Sequence, residues 1–224
     1  MTDRFAETVA TIAHELRSPL TSIKGFSSTL VSKWDRFNDD QKRQFIETIN
    51  ADADRMGRII GEVLDLARLE SDRLELNVTS QRVADLLKRA LQRQGGRPGT
   101  ERVRIDVDPE TSVMADADHM TTVFTHLIEN GVKYSEDGEV LVAARSDRDG
   151  VAITVTDQGQ GIAADRIPGL FEAGSGIGTH TPYGSGLGLR LSRSLVERHG
   201  GTLTVTSEEG EGSQFEVKLP ADTS

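Results

Sequence analysis

The hydrophobic period of this chain changes once, near residue 70, and that change limits the fold to a helical part followed by a mixed part. Up to about residue 33, apolar side chains recur at helical spacing and form one stripe at about 100° per residue. The stripe consists of Phe5, Val9, Ile12, Leu16, Leu20 and Ile23. Asn38, followed three positions later by Gln41, predicts the start of a second helix. Its apolar positions are Phe45, Ile49, Met56, Ile60, Val63 and Ala67.

These two helices are expected to run antiparallel as a hairpin. A lone pair of amphipathic helices cannot enclose its own apolar stripes, and pairing with a second copy into a four-helix bundle buries them. We therefore expect a homodimer held by residues 1–70, with Ile49, Met56 and Val63 in the bundle core.

After Glu70 the pattern becomes short alternating runs that predict strands. The runs are Leu74 to Val78, Val103 to Val107, Val113 to Ala115, Val140 to Ala144, Val151 to Thr156, Leu203 to Thr206 and Phe215 to Leu219. Helical stretches are predicted near residues 82–94, 117–133 and 185–198, and a hairpin turn is predicted at Asp147 to Gly150. This order indicates an α+β chain whose second part, residues 71–224, is a sandwich of one sheet with helices on one face.

Composition excludes several classes of protein. The net charge of −10 offers no basic surface for nucleic acid. The absence of cysteine excludes disulfides and thiolate metal sites. No apolar run approaches the roughly 20 residues that a membrane helix requires, so we expect a soluble piece.

The first motif with chemical meaning lies on the first helix, from His14 to Leu20. His14 is about 170° away from the apolar stripe, so its imidazole is expected to point out of the core. The carboxylate of Glu15 beside it can accept the proton that an imidazole loses when it attacks phosphorus. The alternative is an ordinary surface histidine.

Two further motifs offer polar groups that a nucleotide can use. On a predicted helix, the amide oxygen of Asn130 suits Mg²⁺ beside phosphate oxygens, and Lys133 offers a positive charge to a phosphate. At the end of a predicted strand, the Asp157 carboxylate can accept a hydrogen bond from the exocyclic amine of adenine. Gly159 and Gly161 would let the backbone approach the ring.

The fourth motif runs from Gly184 to Leu189, where glycines open directly into a predicted helix. The free N–H groups and the positive dipole end of such a helix can bind phosphates. Residues 158–184 before it contain seven glycines and two prolines, which is typical of a flexible functional loop. Each motif alone is also compatible with an ordinary helix or turn.

Together, and in this order, the four motifs resemble those of a sensor histidine kinase of a two-component system, over essentially the whole chain. The resemblance implies a dimerisation and phosphoacceptor domain at 1–70 and an ATP-binding domain of the gyrase, Hsp90 and histidine kinase type at 71–224. It implies that ATP with Mg²⁺ phosphorylates His14 with Glu15 as proton acceptor, and that the phosphoryl group passes to an Asp of a response regulator receiver domain. The ATP-binding residues would be Asn130, Lys133, Tyr134, Asp157, Gly159, Gly161, Gly184, Gly186, Leu187 and Gly188, with Asn130 also holding the metal. Family members often have an upstream membrane anchor, so the resemblance implies a cytoplasmic piece whose membrane contact would come only from segments before it.

Three departures from the family pattern keep alternatives open. Ser18 replaces the Thr or Asn of many relatives, residues 167–189 contain no Lys or Arg, and His126 stands where kinases commonly have Asn and related ATPases have a Glu base. One alternative is a nucleotide-binding signalling scaffold with weakened catalysis. Another is an ATP-hydrolysing machine, for which His126 alone could supply the water-activating base.

Overall fold

The computed structural model describes residues 2–95, 98–135, 137–147, 150–172 and 187–220. The side chains of residues 2–9, Thr11, His14 and Asp147 lie outside that description.

The first part is a hairpin of two long helices, α1 (Thr2–Lys33) and α2 (Asp39–Glu70), joined by a short 3₁₀ turn at Trp34–Arg36. The predicted cap of α2 is confirmed, since the Gln41 backbone N–H donates to Asn38 Oδ1 at 2.8 Å and the Asn38 N–H donates to Gln41 Oε1 at 3.1 Å. Phe45 stacks on Phe26 at 5.3 Å between ring centroids and meets Phe37 edge-on at 5.0 Å. This aromatic group closes the turn end of the hairpin.

The hairpin buries only part of its apolar surface. Ile59 and Leu66 are buried on its inner face, whereas Ile49, Met56 and Val63 are half-buried. A second stripe of α2 faces outward and consists of Ile46, Ala53, Gly57, Ile60 and Leu64. Ile60 and Leu64 are 48% and 52% exposed, which is typical of a surface covered by another chain.

The second part contains a five-stranded sheet in the order β2-β4-β5-β7-β6, in which only the β2–β4 pair is parallel. Its strands are β2 (Val103–Asp106), β4 (Val140–Asp147), β5 (Gly150–Asp157), β6 (Thr202–Glu208) and β7 (Gly212–Leu219). A separate antiparallel pair joins β1 (Val78–Arg82) to β3 (Ser112–Asp116). The predicted β4–β5 hairpin is confirmed by the pairing of Asp147 with Gly150, and its two turn residues lie outside the description.

Three helices, α3 (Val83–Arg93), α4 (Ala117–Tyr134) and α5 (Gly188–Arg198), cover the sheet. The residues that α4 buries are Met120, Thr121, Val123, Phe124, Thr125, His126, Leu127, Ile128 and Gly131. These side chains form one core with the inner residues of β4, β5 and β7. The expected sandwich, one sheet with helices on one face, is the observed architecture.

The strand predicted from Leu74 to Val78 is wrong, because β1 begins only at Val78. The residues just before β1 alternate between buried and exposed positions, but they pair with no described strand. Leu74 is in the core, and the Asn77 N–H donates to the Asp116 side chain at 2.8 Å. A carboxylate supplies the hydrogen bond that a neighbouring strand would otherwise supply.

Asp116 and His199 connect the start of α4 to the end of α5. Asp116 Oδ1 caps α4 by accepting from the backbone N–H groups of Asp118 and His119 at 3.0 and 3.1 Å. The Asp116 N–H donates to Nε2 of His199 at 3.0 Å, and Nδ1 of His199 donates to the Leu195 carbonyl at 2.7 Å. Both contacts require a neutral imidazole with its proton on Nδ1. Burial lowers the pKa of His199 accordingly.

We expect His199→Gln to flatten the pH dependence of stability. The folded pKa of His199 lies below its unfolded value of 6.5. The stabilisation that the neutral imidazole gives to the folded state is therefore complete above pH 6.5 and is lost as the pH falls below it. One such group changes the free energy of unfolding by at most about 1.4 kcal/mol per pH unit. Glutamine keeps a donor and an acceptor but does not titrate. Urea unfolding between pH 7.5 and 5.5 measures the slope, and equal slopes in the two proteins would contradict the assignment.

Candidate nucleotide and phosphoacceptor site

The C-terminal half of α4 carries the first group of predicted site residues. Asn130 is half-buried, and in the part of the chain that the structure describes its side chain makes no hydrogen bond. Lys133 and Tyr134 follow one turn later on the same side of the helix, with the Lys133 ammonium 4.7 Å from the centre of the Tyr134 ring. A free amide and a nearby cation therefore stand together at this end of α4.

Asp157 ends β5 and is buried. Its Oδ1 accepts the Gly159 N–H at 2.9 Å. Burial raises the pKa of the Asp157 carboxyl, while hydrogen bonds from the backbone of Gly159 and Ser213 act in the opposite direction. Gly131 of α4 lies beside it, since a Cβ on that glycine would be 3.7 Å from the Cβ of Asp157. A buried carboxylate next to the Asn130 helix is a candidate for ligand recognition.

Gly159 and Gly161 have a packing reason to be glycine that the sequence did not reveal. A Cβ on Gly159 would lie 2.1 Å from the Tyr134 carbonyl oxygen, and one on Gly161 would lie 1.9 Å from the Glu208 carbonyl oxygen. Gly161 also has a φ of 67°. Protein backbone therefore fills the space beside both residues, and the loop after β5 is held against the end of α4.

Arg102, which the sequence analysis did not single out, holds the end of α4 in place. Its guanidinium donates to the carbonyl oxygens of Val132, Ser135 and Gly138, at 3.1 Å for Val132 and 2.7 Å for Gly138, and to Ser135 Oγ at 3.1 Å. A cation suits the carbonyl end of a helix. Among side chains, only the arginine guanidinium has enough N–H donors in a fixed fork to bind several carbonyl oxygens at once. Nothing in the sequence indicates which helix Arg102 contacts.

At the start of α5, the structure describes Leu187 and Gly188, while Gly184, Gly186 and the loop of residues 173–186 lie outside the described residues. Leu187 is fully buried, and its carbonyl accepts the Leu191 N–H at 2.8 Å, which anchors the helix start. Gly188 lies against the ring of His126, because a Cβ there would be 3.2 Å from the ring Cγ.

His126 of α4 is occupied by contacts within the protein. Its Nε2 is 3.0 Å from Glu62 Oε1 of α2, and its Nδ1 is 3.3 Å from Ser192 Oγ of α5. Burial by itself would lower the pKa of His126, but the negative charges of Glu62 and Glu129 raise it above its ordinary value. A histidine with both nitrogens engaged does not offer a free base to a water molecule in this arrangement.

On the hairpin, the backbone of His14 lies in α1 next to Glu15. Glu15 Oε2 is 3.3 Å from a guanidinium nitrogen of Arg55 on α2, and both side chains are largely buried. The sequence analysis missed Arg55, because the pairing of α1 with α2 brings together residues 40 positions apart. Those predicted site residues that the structure describes thus form two groups, one on the hairpin and one around α4, β5 and α5.

The fold and these two groups define a phosphoacceptor-type helical hairpin linked to a nucleotide-binding domain. Residues 6–72 match the family described as His Kinase A (phospho-acceptor) domain, and residues 115–223 match the family of histidine kinase-, DNA gyrase B- and HSP90-like ATPases. The chain belongs to the sensor histidine kinases of two-component systems.

Relatives of known name belong to the same family. The chain is 32% identical to sensor histidine kinase ZraS of Escherichia coli K12, over 95% of this chain and 45% of ZraS. It is 31% identical to YclK of Bacillus subtilis, over 95% of this chain and 46% of YclK. The chain therefore spans about half the length of these relatives.

Solved structures show the same fold. Full-length ShkA in complex with AMPPNP matches with a TM-score of 0.65 and 27% identity, over 96% of this chain and 45% of ShkA. Histidine kinase AdeS of Acinetobacter baumannii matches with a TM-score of 0.70 and 20% identity, over 94% of this chain and 98% of AdeS. Among the described helices, none combines the length and apolar character needed to cross a membrane.

We expect Asp157→Asn to weaken ATP binding by about tenfold or more, because a hydrogen bond to a charged partner contributes on the order of 1.5–3 kcal/mol. Asparagine keeps an acceptor for the Gly159 N–H, so the melting temperature should change little. Calorimetric titration with ATP and GTP measures the effect, with exposed Asp165→Asn as control. Equal affinity of the unmutated chain for ATP and GTP would count against recognition of adenine by Asp157.

Proposed function

We propose that this chain is the catalytic part of an ATP-dependent protein-histidine kinase that phosphorylates its own His14 and passes the phosphoryl group to an Asp of a response regulator. The observation that carries the proposal is the junction of the two parts. The α5 helix, whose start would receive phosphates, packs on α2 of the hairpin whose first helix contains His14 and Glu15. We place the boundary between the parts at residue 71, just after α2 ends.

In this proposal, the nucleotide binds where α4, the loop after β5 and the start of α5 meet. The buried Asp157 carboxylate accepts from adenine, and Lys133 with Tyr134 lies beside the nucleotide. Leu187 and Gly188 begin the helix whose N–H groups face the phosphates. The remaining proposed contacts are Asn130, Gly159, Gly161, Gly184 and Gly186.

The residues present fit Mg²⁺ that arrives with the nucleotide. Mg²⁺ prefers oxygen ligands and usually binds through one or two protein groups plus substrate phosphates and water. The Asn130 amide is half-buried and makes no hydrogen bond among the described residues, so its oxygen is available. The metal would offset negative charge on the phosphates during transfer.

The chemistry requires one bond to form and one to break. An imidazole nitrogen of His14 bonds to the γ-phosphorus, the bond from that phosphorus to the bridging oxygen breaks, and ADP leaves. The imidazole loses a proton, which the neighbouring Glu15 carboxylate accepts. Arg55 contacts Glu15 from α2 and is therefore a positioning residue for that carboxylate.

We expect His14→Gln to abolish acid-labile labelling by radioactive ATP while leaving ATP affinity within about twofold, because the acceptor nitrogen lies on the hairpin and the nucleotide contacts lie on the second part. His119→Gln, at the start of α4, is the control and should keep its label. Persistent labelling of His14→Gln would refute the acceptor assignment. Nucleotide binding without any label in the unmutated chain would favour the signalling scaffold instead.

Membership in the family supports dimerisation through the hairpin, and we propose that the outward stripe of α2 forms part of the interface of a homodimer. Ile60 and Leu64 leave a large apolar surface on that side, and Gly57 has open space around it. Two copies of the hairpin would complete a four-helix bundle. A receiver domain would then dock on the bundle near His14.

We expect Ile60→Glu to raise the dimer dissociation constant at least tenfold, since a buried unpaired charge costs several kcal/mol. Gln44→Glu adds the same charge at an exposed polar position of α2 and should leave the dimer intact. Light scattering at several concentrations measures the mass. A monomeric unmutated chain, or equal behaviour of the two variants, would contradict the interface.

Because the proposed reaction consumes ATP, we propose that these residues lie in the cytoplasm. The net charge of −10 supports a kinase with no nucleic-acid partner.

A further inference from the structure

The imidazole of His126 lies where three helices meet. It belongs to α4, and its two ring nitrogens contact Glu62 of α2 at 3.0 Å and Ser192 of α5 at 3.3 Å. The ring also rests on Gly188, the first residue of α5, because a Cβ there would be 3.2 Å from the ring. His126 therefore fills the space between the hairpin and the helix start proposed to receive phosphates.

This position has two consequences for a nucleotide. Both ring nitrogens are engaged within the protein, so neither is offered to a phosphate while the contact with Glu62 exists. Glu62 also favours the charged form of the imidazole and holds it at 3.0 Å, so a phosphate at the start of α5 has to compete with that carboxylate for the ring.

We propose that Glu62 and His126 form a docking latch, which lowers the affinity of the second part for nucleotide as long as that part is docked on α2. When the latch opens, the imidazole is released toward the phosphates and the Glu62 carboxylate moves away from them. The inference rests on the nucleotide site of the proposed function and adds a residue of the hairpin that controls it.

Other contacts between the two parts are more exposed. Arg190 pairs with Glu70 at 2.5 Å, and the Glu70 side chain is 56% exposed. The side chains of Glu62 and His126 are only 12% and 10% exposed. Solvent and salt screen the Glu70 pair more strongly, so an electrostatic effect on bound nucleotide should come from Glu62.

The latch predicts coupling in both directions. If docking weakens nucleotide binding by some factor, nucleotide must weaken docking by the same factor. Such couplings typically reach about fivefold or more. Glu70→Gln is a matched control for Glu62→Gln, because it removes the same charge from the same helix and also breaks one contact between the parts.

The test is the dissociation constant of a fluorescent ATP analogue for the full chain and its variants. We expect Glu62→Gln to bind the analogue about fivefold more tightly or better, and Glu70→Gln to stay within about twofold of the unmutated chain. In the His126→Asn background, Glu62→Gln should have a much smaller effect, because the contact between the carboxylate and the imidazole is already lost.

Several outcomes would overturn the latch alone. These are unchanged or weaker binding by Glu62→Gln, an equal effect of Glu70→Gln, and a full effect of Glu62→Gln in the His126→Asn background. An unmutated chain that binds no analogue would instead overturn the proposed nucleotide site.

A second readout does not depend on comparing affinities. The chain has five histidines, so the imidazole nitrogen resonances of His126 can be identified as those missing from His126→Asn. We expect a non-hydrolysable ATP analogue to shift them in the unmutated chain, and Glu62→Gln to shift them toward the same values without nucleotide. Resonances that respond to neither change would overturn the latch.

Discussion

The burial of α4 is the constraint on which the rest of the second part depends. Its apolar residues fill the space between the sheet and the helices α3 and α5, and its last turn reaches the surface with Asn130, Lys133 and Tyr134. Asp116 caps one end, and Arg102 binds the carbonyl groups at the other. A helix held along its length and at both ends presents polar side chains in a defined position, as a preorganised site requires.

Close backbone packing connects that helix to the loop after β5. Gly159 approaches the Tyr134 carbonyl, and Gly161 approaches the Glu208 carbonyl, so neither position accommodates a Cβ. The Gln160 N–H donates to the Tyr134 carbonyl at 3.3 Å, and the Gln160 carbonyl accepts the Gly210 N–H at 2.8 Å. Asp157 is therefore held relative to α4 by main-chain contacts, which do not depend on side-chain rotamers.

Among the described residues, polar contacts join the two parts of the chain, beside Leu69 of α2, which packs against the core of the second part. Glu62 meets His126, Glu70 meets Arg190, and Asp72 of the connecting segment meets Arg198. Each contact of this kind contributes little free energy, so a change of charge can shift the two parts between docked and separated arrangements. For a family that moves a phosphoryl group between a nucleotide and a histidine on different domains, a separable junction is physically reasonable.

The sequence by itself determined the two long helices, the capping box at Asn38, the mixed sandwich and the order of the four motifs, because these depend on local periodicity and on residue types a few positions apart. It also selected Asn130 and Asp157 as ligand contacts, and their binding role stays a prediction. Only the tertiary structure decided that Leu74 is buried without joining a strand, and that Arg55 contacts Glu15. Likewise, it alone showed that His126 contacts Glu62, 64 positions away. The physical reason is that such pairs become neighbours through the packing of whole helices, which no local pattern along the chain encodes.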